Sequence, residues 1–268
     1  MSLGIIMQST PATAAQIWAT GVTQDEGWTD AVGSAEGHCW AATATNLILH
    51  WQNELAKTYE LPVNAPKTEE DIRAYFVNNF DPAYQVKSGI KWYMQEYFPM
   101  LQLPMPDPLP DSNPIATEWC NHDSLAEFSS RIKRVLSYGE PIGLDLFTIK
   151  HATTLWGAQF NDTTNLLEKV WITDSGGNSN GLEEWCVREI PEADREDYQG
   201  FSFQFGKDNG NGSQSWLYVV DFMDYLTTDI KDVNGNTPDS LITPSIPEPT
   251  SVMLACAGIV LLLRRRHQ

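Results

Sequence analysis

Two places in the chain carry side chains suited to covalent or proton-transfer chemistry. The first is Gly37-His38-Cys39-Trp40-Ala41-Ala42-Thr43-Ala44-Thr45-Asn46, a cysteine where a loop turns into a helix. From Cys39 to about Trp51 there is no Gly or Pro, and Trp40, Ala44, Leu47, Ile48 and Trp51 recur at three- and four-residue spacings, which predicts a mostly buried helix. Unpaired backbone N–H groups and the positive end of the helix dipole favour a thiolate at the first helical residue, and a thiolate is a nucleophile. The same cysteine is equally well explained as a small buried residue of a core helix. Without a base the stretch alone does not choose between the two.

The second place is a pair, His151 and Asp174. After Gly139 the period changes from helical to strand-like, and residues 142–149, 151–160 and 166–174 predict three strands rich in β-branched and aromatic residues. Asn161-Asp162-Thr163-Thr164-Asn165 joins the last two as a hairpin. A four-residue loop, 161–164, pairs Phe160 with Asn165 and sets His151 opposite Asp174. Opposed side chains share a face, with Cβ atoms about 4.5–5.5 Å apart. A carboxylate there holds one imidazole tautomer and favours the imidazolium. A one-residue slip would bring Ser175 to that position instead.

The elements that must position these groups are legible in part. Thr68 predicts an N-cap before Glu69, Glu70 and Asp71, with Ile72, Tyr75, Phe76 and Phe80 on one stripe. Ser88 predicts the opening of a second helix containing Ile90, Trp92, Tyr93 and Phe98. Six prolines between Pro99 and Pro114 forbid regular structure there. A third helix runs from near Asp123 to Gly139, with Leu125, Phe128, Ile132, Val135 and Leu136 facing inward. Helices first and strands afterwards read as α+β.

With 268 residues, 42% of them hydrophobic, and ten Trp, the chain holds a substantial core. The formal charge of -18 argues against nucleic acid and against an anionic membrane surface as partners. Four cysteines, Cys39, Cys120, Cys186 and Cys256, show no metal-ligand spacing, and a bridge between Cys120 and Cys186 is left open.

Both ends read as export signals. Residues 1–15 resemble the remnant of a secretory signal peptide, with Ile5-Ile6-Met7 before Ala12-Thr13-Ala14. Residues 16–226 form the folded domain and 227–246 a linker rich in Asp, Asn, Thr and Pro. In 247–268, Pro247-Glu248-Pro249 precedes an apolar run ending in Leu261-Leu262-Leu263, then Arg264-Arg265-Arg266. The run is shorter than the ~20 residues of a free-standing membrane helix, and the arginines mark a cytoplasmic stop. The order and position of the three parts resemble a PEP-CTERM sorting tail. That resemblance implies export across the inner membrane, transient contact of the tail with the membrane, and an exosortase as a partner. The mature protein would then reside in the periplasm, at the cell surface or in the extracellular matrix.

A wider resemblance joins the two chemical sites. Ile17-Trp18-Ala19-Thr20-Gly21-Val22, Gly27-Trp28-Thr29-Asp30, the Cys39–Asn46 block with His50-Trp51, His151-Ala152-Thr153-Thr154-Leu155-Trp156-Gly157-Ala158 and Thr173-Asp174-Ser175 occur in order across most of residues 17–225. Together they resemble the IdeS/Mac-type immunoglobulin-degrading cysteine peptidases, a papain-like family. The resemblance implies Cys39 as nucleophile, His151 as general base and acid, and Asp174 as the residue orienting His151. It implies a papain-like two-lobed fold, with the nucleophile helix in an N-terminal helical lobe and an antiparallel sheet in the C-terminal lobe. The activity implied is endopeptidase hydrolysis of a protein or peptide substrate through a thioester, without metal or organic cofactor. Three positions depart from the family: Gly33 stands where it has an oxyanion-hole lysine, Gly176 where it has a second acid, and Trp40 where its type member has glycine. The backbone N–H of Cys39 and the side chain of Gln24 are the substitute oxyanion donors. A transglutaminase-like acyltransferase, or a surface-associated binding protein on the same scaffold, would carry the same residues.

Overall fold

A computed structural model describes residues 14–31, 38–80, 85–101, 115–120, 123–146, 150–176, 181–197, 201–208, 214–218, 220–230 and 236–242. The expected signal remnant up to residue 13, Gly33 and the whole sorting tail lie outside the described residues. Among the described residues no helix is long and apolar enough to cross a membrane.

The fold is α+β. Helix α1 spans Cys39–Leu55, α2 Glu69–Asn79, α3 Val86–Tyr97 and α4 Leu125–Ser137. The strands are β1 Ala15–Trp18, β2 Ile115–Trp119, β3 Ile142–Leu146, β4 His151–Phe160, β5 Leu167–Asp174, β6 Leu182–Glu189, β7 Phe203–Asp208, β8 Gln214–Tyr218 and β9 Val220–Leu226. They form one sheet in the order β2-β9-β3-β4-β5-β6-β7-β8, with β1 added to β4, and every pairing is antiparallel.

Local chemistry explains the helix starts. The Thr68 hydroxyl accepts from the Asp71 N–H at 3.2 Å, capping α2. Ser124 and Glu127 form a reciprocal capping box that opens α4. Ser88 is not the start of α3: that helix begins at Val86, because Gln85 is the last extended residue.

The two faces of the sheet are covered separately. On β3, a Cβ built at Gly143 would lie 3.1 Å from both Leu47 and Thr43 of α1, whereas the next residue, Leu144, packs in the cluster that contains Phe128 and Ile132 of α4. Successive strand residues point to opposite faces, so α1 lies on one face and α4 on the other. The small buried run Ala41, Ala42, Thr43, Ala44, Thr45 brings α1 close to the sheet. On its outer side Trp40, Ile48 and Trp51 share a buried cluster with Phe76 of α2 and Ile90, Tyr93 and Met94 of α3.

The stretch expected to be a linker is partly built into this layer. Ile230 and Leu241 are buried in the α1–α3 core, and the Trp51 indole donates to the Thr227 carbonyl at 2.9 Å. Cys120 and Cys186 are not joined by a disulfide.

The β4–β5 hairpin differs from the expected pairing. Phe160 pairs with Leu167 and Thr153 with Asp174, so His151 faces Leu146 of β3 across its other edge. The cause is a longer turn. The Asn161 side chain accepts from the Thr163 and Thr164 N–H groups, Asn165 adopts a left-handed φ of 59°, and the turn closes from Asn161 N–H to the Leu166 carbonyl at 2.8 Å. At both ends of the hairpin the displacement is two residues, because two irregularities, at Leu155/Gly157 and Gln159/Phe160, offset each other. An even displacement leaves His151 and Asp174 on one face, as diagonal neighbours.

Candidate active site

Cys39 is the first residue of α1 and is half-buried. Its helix start has no side-chain cap: His38 occupies the N-cap position, where its carbonyl accepts from the Ala41 and Ala42 N–H groups but its ring bonds nothing in the first turn. The His38 ring is 8% exposed, and neither ring nitrogen has a hydrogen-bond partner. The Cys39 thiol points at the carbonyl of Lys150, 4.0 Å away. Lys150 holds a left-handed φ of 49°, which turns that carbonyl toward the helix just before β4 begins.

His151 and Asp174 meet despite the displaced register. Nε2 of His151 lies 2.5 Å from Oδ1 of Asp174, a separation that the imidazole's length spans along the diagonal. The same carboxylate oxygen accepts from the Gly176 N–H at 3.0 Å. Cys39 is the second side-chain partner of the ring. With Nε2 committed to Asp174, Nδ1 is the nitrogen left to face the sulfur.

The electrostatics follow from this geometry. Burial opposes a charge on His151, but the Asp174 carboxylate and Cys39 outweigh it and raise the imidazole to about 9. Burial likewise opposes charge on Asp174, and His151, the Gly176 N–H and Lys207 together hold it below the usual carboxylate range. At neutral pH the site holds an imidazolium between a carboxylate and a sulfur. This arrangement can stabilise a thiolate, deliver a proton and take it back.

A buried polar hub lies behind these residues. The Asn46 amide oxygen accepts from the Ala31 N–H at 3.0 Å, and its nitrogen donates to the Thr154 and Thr173 hydroxyls at 3.0 and 3.3 Å. The Thr173 hydroxyl also receives the Trp156 indole N–H at 2.9 Å and donates to the Thr29 carbonyl at 3.2 Å. Beside it, Asp30 accepts from the Gly181 N–H at 2.6 Å. Burial, with Glu69, Asp174 and Glu183 nearby, raises Asp30 above the usual range.

Of the remaining sequence candidates, Gln24 lies at the surface, and His50 and Trp156 lie in the core. Gln24 is exposed in the turn capped by Thr23, and among the described residues no hydrogen bond joins it to Cys39. His50 is a core residue bonded to the Gly139 carbonyl at 3.3 Å, with burial lowering its pKa. Trp156 is buried against it. Sequence reading passed over Lys150, Thr154 and Thr173. The signal for the hub was an Asn surrounded by Ala, Thr, Leu and Ile in a buried helix, since a buried amide must find partners. Compared with known proteins, the chain matches no protein-family model, and no curated protein matches its sequence.

Proposed function

We propose that the chain is an exported cysteine endopeptidase of papain-like, two-lobed arrangement that hydrolyses peptide bonds of a protein substrate. The observation that carries the reading is the 2.5 Å contact of His151 Nε2 with Asp174, on a ring whose other side-chain partner is the cysteine at a helix start.

The Cys39 thiolate attacks the peptide carbonyl carbon, forming a C–S bond and moving an electron pair onto oxygen. The backbone N–H of Cys39 and the side chain of Gln24 are the proposed donors to that oxyanion. Collapse breaks the C–N bond as His151 gives its proton to the leaving amine. Water then adds to the thioester while His151 takes a proton from it. The second collapse breaks the C–S bond, releasing the acid and restoring the thiolate–imidazolium pair. Asp174 keeps the ring in one orientation throughout. Residues 247–268 act in sorting by an exosortase and take no part in the chemistry.

The test uses the full chain and Cys39→Ala with a mixed set of protein substrates and a labelled primary amine. Cleavage by the wild type and none by the variant is expected, as is alkylation of Cys39 by iodoacetamide at pH 6 far ahead of Cys186. Incorporation of the amine in place of cleavage would move the reading to an acyltransferase. Absence of both reactions would leave a binding protein. Removing one oxyanion donor costs about 10²–10³ in rate, so Gln24→Ala should lower kcat by that factor. An unchanged kcat would exclude Gln24 as the donor.

A further inference from the structure

Helix α1 must stop at one longitudinal position for Cys39 to meet His151, yet most of its sheet-facing contacts are small and apolar. Ala41, Ala42 and Ala44 are fully buried, and Gly143 of β3 leaves a flat place against Thr43 and Leu47. Such contacts are non-directional and do not by themselves fix how far the helix sits along the strands. Hydrogen bonds do, and on this face they converge on Asn46.

The amide can sit only one way. Thr173 has one hydroxyl proton, which goes to the Thr29 carbonyl, so its oxygen must receive the Asn46 N–H. The amide oxygen then faces the Ala31 N–H. Asn46 thereby ties the segment before α1, the helix itself, β4 and β5 at one point, with the side chain 1% exposed.

The spans on helix and strand match. Asn46 is seven residues past Cys39, two turns on and on the same side, an advance of about 10.5 Å at 1.5 Å per residue. Thr154 is three residues past His151, about 10 Å along β4. Thr173 immediately precedes Asp174. A bond at Asn46 therefore sets Cys39 beside the Lys150–His151 end of β4, where the thiol lies 4.0 Å from the Lys150 carbonyl.

The geometry points to Asn46 as a positioning residue that holds the nucleophile helix in register with the His151–Asp174 pair, through Thr154 and Thr173. Its catalytic consequence rests on the peptidase reading above. Asn46 does not touch the reacting atoms; it fixes the thiol-to-imidazole geometry from two turns away.

Thr154→Val and Asn46→Ala in the full chain test this. Thr154→Val keeps the shape of a buried strand residue and removes one acceptor, so it serves as the variant that folds; where Asn46→Ala does not fold, Thr154→Val decides alone. The readouts are thermal unfolding, the pH profile of Cys39 alkylation by iodoacetamide, and kcat against KM. Alkylation needs no peptide cleavage and reports the thiol environment directly. The expected result is a roughly 10-fold or greater loss of Cys39 alkylation at pH 6 in Thr154→Val, with rates converging on wild type at alkaline pH and kcat falling at unchanged KM. A merely structural amide would lower the melting temperature and leave that profile overlaying wild type, which overturns the inference while Cys39 stays activated. If wild-type Cys39 reacts no faster at pH 6 than Cys186, the peptidase reading fails and this inference fails with it.

Discussion

His151 keeps its proton well above the range of an ordinary imidazole because Asp174 and Cys39 overcome the burial that opposes its charge. A folded-state value near 9 against about 6.5 in the unfolded chain means the folded state binds the proton more tightly. The stabilisation is therefore complete below about pH 6.5 and disappears as pH rises through about 9. Asp174 works in the opposite sense: its depressed value stabilises the fold above the ordinary carboxylate range, and that contribution fades as pH falls through the folded value. For the proposed activity, loss of the imidazolium removes the proton that the leaving amine needs, so kcat/KM should fall along an alkaline limb near pH 9. Asp174→Asn should move that limb to lower pH and reduce kcat by as much as about 10⁴-fold, since the ring loses both its charge partner and its fixed tautomer. A limb that stays in place would show that Asp174 does not govern His151. Residue types made this site legible: a cysteine at a helix start and a His/Asp pair near the ends of adjoining strands. Lys150 was not legible, because what matters there is a backbone carbonyl turned by a left-handed φ, and no side chain announces it.

At the level of elements, periodicity located α1, α2, α4 and strands β3 to β5, and these hold every residue of the proposed triad. The register between β4 and β5 escaped, because the turn is set by Asn161 folding its side chain back onto the chain and by the left-handed Asn165, which the loop's polar composition does not encode. Strands β6 to β9 were missed for another reason. Leu182–Glu189 carries four charged residues and Val220–Leu226 two aspartates, so their alternation lacks the β-branched enrichment that marked their neighbours. One consequence of how elements meet is testable at the corner between α4 and β3. Glu140 is 3% exposed there; one oxygen accepts from the Thr228 N–H at 3.1 Å and its hydroxyl at 3.2 Å, and the other has no partner. Burial raises the carboxyl to about 7, so the folded state holds the proton that the unfolded chain gives up near 4.5, and stability falls as pH rises between those values. The penalty at pH 8 is on the order of 3 kcal/mol. Glu140→Gln keeps an acceptor for Thr228 and carries no charge; its melting temperature should exceed that of wild type by several degrees at pH 8 and by little at pH 5. Equal melting temperatures at both pH values would show that the buried carboxyl carries no such cost.

Across the whole molecule, the layer around α1 is finished by chain from both sides of the sheet. Ile230 and Leu241 are buried in the cluster that contains Trp51, Phe76 and Tyr93, so a segment that composition marks as a spacer contributes to the core. Composition failed there because two apolar side chains among many polar ones carry the packing. Leu241→Ala should cost about 2–5 kcal/mol, a fall in melting temperature of roughly 5–20 °C at this chain length, whereas Val63→Ala at an 85% exposed site should change stability by less than about 0.5 kcal/mol. Equal, small effects would mean that the segment rests on the surface without supporting it. The sheet has the same late dependence. β9 is the last strand in the chain, yet it lies between β2 and β3, next to the strand that pairs with the His151 strand. A polypeptide leaving the ribosome or a translocation pore amino end first therefore exposes its cysteine about 200 residues before the strand and the leucine that complete its surroundings. Lys150 and His151, the groups nearest the thiol, emerge earlier, but the core that holds α1 closes only when residue 241 has joined it, so the order of emergence delays the support of the site rather than its parts.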